Sequence, residues 1–134
     1  MPSIVVALIL AAVLPTTGCA KIQGEKRSQA LEATLSAYQS ALRWGYYETA
    51  WAYLAPELRK APTDADWAER IRVVGYDVVQ PAALRGETTA GQIVRIDYVD
   101  ETQQIMHGLV DRQTWHYDPD AERWWLSSGL PPFE

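Results

Sequence analysis

The 134-residue chain carries 12 Lys or Arg against 17 Asp or Glu, a formal charge of −5, with 48% apolar and 22% charged residues. Length and composition fit one globular domain, and the acid excess argues against a nucleic-acid surface, which needs a basic patch. The single cysteine, Cys19, excludes an internal disulfide framework and a multi-cysteine metal site.

Ile4 to Leu14 is an unbroken apolar run. It is shorter than the about 20 residues that span a bilayer as a helix, and it suits the apolar region of a secretory signal. Pro15, Thr16, Thr17 and Gly18 follow, then Cys19. Pro15 ends the apolar segment, and small residues before a cysteine suit a peptidase cleft.

This junction resembles a bacterial lipoprotein signal. The resemblance implies residues 1–18 as the signal, a cut after Gly18, and acylation of Cys19. The sequence departs from that family at Thr16, where Leu is usual, and in having no Lys or Arg before the apolar run. Several acyl chains hold a protein where one is marginal. Ala20, rather than Asp, follows the cysteine, which by resemblance implies the periplasmic face of an outer membrane. The removed segment carries no charged side chain, so the −5 stays on the mature domain. That charge opposes a flat electrostatic contact with anionic lipid.

Residues 19–27 read as a short lipidated tether, and 28–134 as a single domain. Ser28 to Arg43 predicts a helix, with Leu31, Leu35, Tyr38 and Leu42 on one stripe. Gly45 stops it. Tyr47, Ala50, Trp51 and Leu54 predict a second helix that Pro56 ends. Thr63 to Arg72 predicts a third, opened by a capping-box-like Thr63 and Asp66 with Asp64 in the first turn.

The period then changes to two. Tyr76 to Gln80 reads as a strand limited by Pro81. Gly91 to Val99 alternates, with Val94, Ile96 and Tyr98 on one face and Arg95 and Asp97 on the other. Ile105 to Tyr117 reads as a long strand, bulged at Gly108. Trp124 to Ser127 is the last. Helices followed by about four meandering strands predict an α+β fold, an antiparallel sheet with helices on one face.

That order, with the Gly45-Tyr46-Tyr47-Glu48-Thr49-Ala50-Trp51 opening of the second helix, resembles the nuclear-transport-factor-2-like superfamily over residues 28 to 130. The resemblance implies a curved sheet and helices forming a cone. A cystatin-like helix-on-sheet domain is the alternative.

His107 and His116 are nine apart on one strand, hence on opposite faces, which disfavours a two-His metal site. Asp118, Asp120 and Glu122 lack the Gly and Glu that a calcium loop needs later, so they read as a solvated turn. The chain has no nucleophile elbow, phosphate loop or dinucleotide fingerprint. No metal and no cofactor is expected.

Enzymes of the cone fold use an acid or His base and a Tyr inside the cone. Here Tyr38, His107 and Asp111 are the catalytic candidates; a shared fold alone supplies no activity. The six Trp and seven Tyr are the most distinctive feature. Tyr38, Trp51, Tyr98, Trp115, Trp124 and Trp125 are the pocket or contact candidates. Adjacent Trp124 and Trp125 must point to opposite faces.

The reading is therefore a lipid-anchored cell-envelope module. It is held to the membrane through acylated Cys19 and contacts an envelope protein through its sheet face or cone mouth. A small apolar ligand in the cone, or a cone-fold enzyme, are the alternatives. A homodimer is compatible with the chain, and nothing in the sequence specifies it.

Overall fold

The computed structural model describes residues 17–60 and 66–134. Residues 1–16 of the expected signal, the Thr63 cap and Asp64 lie outside the described residues, and Thr17 and Gly18 belong to the first helix. Within them the order is α1 (Thr17–Arg43), α2 (Tyr47–Trp51), a 3-10 turn (Pro56–Lys60), α3 (Asp66–Arg70), then β1 (Ile71–Leu84), β2 (Thr89–Asp100), β3 (Ile105–Asp118) and β4 (Arg123–Leu126). The strands form one open, curled antiparallel meander, β1-β2-β3-β4, so the chain is an α+β fold.

α1 begins earlier than its apolar stripe. Residues 20–27, expected as a tether, continue the helix from Thr17 and are mostly exposed. The stripe from Leu31 onward is what packs on the sheet, burying Leu31, Tyr38, Ala41 and Leu42. The helix stops as Gly45 takes φ 73°. Tyr46 N–H donates to Ala41 O at 2.8 Å and Gly45 N–H to Leu42 O at 3.3 Å, a Schellman close.

The second helix is shorter than expected. It ends at Trp51, and Pro56 opens a 3-10 turn instead of closing a helix. Between them Tyr53 to Ala55 is drawn to the free edge of β4. Leu126 N–H donates to Tyr53 O at 2.7 Å and Ala55 N–H to Leu126 O at 2.9 Å. Sheet pairing satisfies these groups better than a further helical turn, and it covers an edge.

β1 is longer than its alternating segment and runs through Pro81. Register shifts at Val73/Gly75, Val78/Gln80 and Gln80/Ala83 absorb the irregularity, and the last spans the proline. An edge strand with bulges tolerates a residue that cannot donate. The bulge expected at Gly108 does not form. β2 and β3 pair without interruption from Thr89↔His116 to Asp100↔Ile105, with Gly108 opposite Asp97.

The inner face of the sheet is the core. Ala90, Val94, Ile96 and Tyr98 from β2 meet Trp115 from β3 and Trp124 and Leu126 from β4, all buried under α1 and α2. The C-terminal segment turns back over the far end of this face. Phe133 packs at 5.0 Å from both Trp67 and Tyr98, and Glu134 N–H donates to Tyr98 Oη at 3.3 Å. Asp100, 1% exposed, ties this end together. It accepts from Arg70 at 2.8 Å and from the N–H groups of Thr102 at 2.9 Å and Gln103 at 3.0 Å.

Candidate functional site

The strand period puts His107, Asp111, Gln113 and Trp115 on the inner face of β3. Asp111 and Gln113 are 6% and 2% exposed. Gln113 organises this polar knot. Its Nε2 donates to Tyr76 Oη at 2.9 Å and to Asp111 Oδ2 at 3.0 Å, and its Oε1 accepts from Trp115 Nε1 at 3.2 Å. Tyr38 comes down from α1 onto the same place, and its hydroxyl has no hydrogen-bond partner among the described residues.

These groups shift one another. Burial raises the Asp111 carboxyl above its ordinary range, with the Gln113 amide pulling the other way. Burial, then the Asp111 charge, then Tyr76, push the Tyr38 phenol well up. Burial brings Tyr76 to about 12. An inner carboxylate beside a phenol is what proton-transfer chemistry needs.

Of the three catalytic candidates, the fold brings Tyr38 and Asp111 together and leaves His107 apart. Four residues along a strand separate His107 from Asp111, about 13 Å at about 3.3 Å per residue. His107 instead stacks on Tyr98, 5.2 Å between centroids and 15° between planes. Its Nε2 is buried without a partner among the described residues. Around Tyr38 the layer between helix and sheet is taken by aromatic rings. Tyr38 meets Trp115 edge-on at 5.3 Å and Tyr53 at 6.1 Å. The knot is therefore part of the core, with Gln113 bonded to Tyr76, Asp111 and Trp115 and the Tyr38 hydroxyl unpaired among the described residues.

The pocket candidates separate in the same way. Tyr38, Tyr98, Trp115 and Trp124 are all buried. Trp124 points inward, and its Nε1 donates to Arg27 O at 2.9 Å, fixing α1 to β4. Trp125 points outward and is half-buried by two guanidiniums, Arg123 at 3.9 Å and Arg59 at 5.0 Å from the ring. Trp125 also lines an open hollow of about 490 Å³ with Pro56, His116 and Asp118, and Trp51 borders the larger aromatic groove.

That groove lies between α2 and α3. Three adjoining hollows of about 530, 510 and 500 Å³ share Tyr47 and Ala68 on their walls. Trp44, Tyr46, Trp51 and Trp67 complete the aromatic lining. Tyr47 is fixed by Trp67, 5.0 Å between rings, and its hydroxyl donates to Ile71 O at 2.6 Å. Trp44 is 75% and Tyr46 64% exposed, on either side of Gly45. Their backbones are held by the last helical bond, Trp44 N–H to Ser40 O at 3.0 Å, and by the Schellman bond of Tyr46 N–H, so the two rings leave the chain from ordered positions. Glu48 and Glu69 stand on the rim.

Sequence reasoning missed Trp44, Tyr46 and Trp67 as surface groups. The signal available was the Trp-Gly-Tyr-Tyr run itself. An αL glycine between two large rings places both outside the helix they flank. Gln113 was also missed, although the alternation that buries Asp111 and Trp115 buries it too.

Among the described residues no group of three or more His, Cys, Asp or Glu is arranged for a metal ion, and no helix is long and apolar enough to cross a membrane. Asp118 is a turn residue, its Oδ1 accepting from Asp120 N–H at 2.9 Å and Ala121 N–H at 3.1 Å. No protein-family model matches the sequence, and no curated protein matches it significantly.

Proposed function

We propose that the chain is a lipid-anchored binding module of the cell envelope that takes a protein partner on the aromatic shelf between α2 and α3. The exposed pair Trp44 and Tyr46, on the same groove as Tyr47, Trp51 and Trp67, carries this reading. Trp and Tyr are enriched among the residues that carry binding energy at protein interfaces, and an ordered backbone lowers the cost of engaging them. A partner presenting apolar groups fits the walls, and polar or charged groups of either sign fit a rim that carries Glu48 and Glu69 together with Arg43 and Arg72.

The address and the shelf stand at opposite ends of one element. Cys19 is exposed in the first turn of α1. A helix of 27 residues is about 40 Å long. An acylated Cys19 would hold the domain at the lipid while α1 carries the shelf away from it.

The test is a photo-crosslinking amino acid placed in the full chain, in its own cells, at Trp44, at Tyr46 and at exposed Glu87 as the control. The expected result is one protein adduct shared by positions 44 and 46 and absent from 87. No adduct at 44 or 46, or the same adducts at 87, refutes the shelf as the contact.

A further inference from the structure

Beyond β4 the chain changes its manner of attachment. Ser127 N–H still donates to Thr114 O on β3 at 2.8 Å. Gly129 follows at φ 88°, a left-handed position that suits glycine. Leu130–Glu134 then lies outside every helix and strand. Pro131 and Pro132 have no N–H to donate. Phe133 N–H is used within the segment, on Pro131 O at 2.9 Å. That bond closes a γ-turn about Pro132, whose ring fixes the negative φ such a turn needs. Among the described residues one hydrogen bond ties the segment to the rest of the domain. It runs from Glu134 N–H to Tyr98 Oη and is long, at 3.3 Å. Glu134 makes no ion pair among those residues.

What holds the segment is therefore apolar contact. The γ-turn sends Phe133 back onto Trp67 and Tyr98, its ring centroid 5.0 Å from each. Leu130 forms one wall of the 510 Å³ hollow in the aromatic groove, whose other walls come from residues 47–52 and from Trp67 and Ala68. Both attachments involve Trp67, which also meets Tyr47 at 5.0 Å. Trp67 thus stands between the groove and the segment.

From this we infer that Leu130–Glu134 is a strap, hinged at Gly129, that closes the inner end of the groove and is lifted by an occupant competing for it. Lifting removes the Leu130 wall of the hollow and frees the part of Trp67 that Phe133 covers. It also bares an edge of Tyr98, 3% exposed with the strap closed. The groove then runs on toward β2.

Segments with few hydrogen bonds and few buried contacts open at a small part of the global unfolding cost. The strap competes from a tether of almost no length, so its local concentration is high and modest contacts keep it closed. The apparent affinity of any occupant is then scaled by the fraction of chains that stand open. The inference deepens the reading of the groove as a contact, and its test needs no partner.

Phe133 is the single Phe of the chain, so biosynthetic para-fluorophenylalanine labels the strap alone. The experiment is fluorine NMR of the full chain in mild detergent. The main signal is expected to be displaced from that of the free amino acid by the Trp67 and Tyr98 rings. Leu130→Ala is expected to raise the signal at the free position roughly tenfold, the effect of losing about half the burial of a Leu side chain. Circular dichroism checks the fold of the variant. An unlabelled, end-capped peptide of residues 129–134, added at about millimolar concentration, is expected to move wild type the same way by taking the strap's place. The same peptide carrying Phe133→Ala is expected to leave the spectrum unchanged. A displaced signal that neither L130A nor the peptide moves overturns the inference, because the segment is then fixed core. A single signal at the free position overturns it too, because nothing is then closed. If L130A fails to fold, the peptide alone decides. The strap can respond while positions 44 and 46 capture no protein, and capture can occur beside an immovable strap, so the two readings fail separately.

Discussion

The two faces of this sheet obey the same period and do opposite things. Facing α1, nearly every position is filled. Trp115, Tyr38 and Trp124 interlock, and even Asp111 and Gln113 are bonded into the packing. Facing away, the strands carry two glycines where side chains would stand, a flat ion pair, and exposed Met106 and Val110. The inner face spends its chemistry on holding the fold. The outer face and the α2–α3 shelf leave theirs available to something else. Buried polar groups are thus no sign of an active site by themselves; what counts is whether space remains beside them.

The largest effects should come from the inner face. Trp115→Ala should cost about 3–5 kcal/mol, since it empties the centre that Tyr38 and Tyr53 pack on. Urea unfolding measures it. A loss under about 1 kcal/mol would mean the face collapses easily and the contrast is false.

Asp100→Ala should follow, at about 2–3 kcal/mol. It strands Arg70 and the N–H groups of the β2–β3 turn, though Arg70 is partly solvated, which trims the figure.

Asp111→Asn sharpens the comparison from the other direction. Burial raises the folded pKa above the ordinary 3.8. The stability this group contributes is therefore complete below that ordinary value and is lost as pH rises through the raised one. Asparagine removes the neutral-pH penalty and can still accept from Gln113. The variant should melt higher than wild type at pH 7, and the gain should vanish as pH falls through the carboxylate range. A lower melting point at pH 7 would mean that Asp111 does more than fill the core.

The smallest stability effects belong outside. Trp44→Ala and Val110→Arg should each change stability by no more than about 0.5 kcal/mol. Thermal melts under dilute conditions check this. A large loss in either would show that these surfaces serve the fold, like the inner one.

Much of the fold was legible in the sequence because the periods are clean. The Leu31-Leu35-Tyr38-Leu42 stripe and the Val94-Ile96-Tyr98 alternation each bury the face they mark. The element ends were not legible, for reasons outside the local sequence. Tyr53 to Ala55 leave the helical path because β4 offers an edge to pair with. Pro81 stays within β1 because a register shift skips it. Gly108 looked like a bulge, whereas its role is to make room for Asp97, a residue on another strand.

The candidate site was legible only in part. Alternation placed Asp111 inside, and the helical stripe placed Tyr38 above it. That Trp115 and Tyr53 would occupy the space between helix and sheet depends on how the layers fit, which no spacing encodes. The shelf was missed for the opposite reason. Trp44 and Tyr46 break the pattern, and pattern-breaking aromatics are what a contact surface consists of.

Everything proposed for the shelf assumes that α1 is fixed to lipid at its first turn. The intact mass of the protein taken from membranes in mild detergent tests that most directly. The account predicts a chain beginning at Cys19 and carrying acyl chains on that residue. An uncut chain with a free Cys19 thiol, recovered outside the membrane fraction, would contradict it.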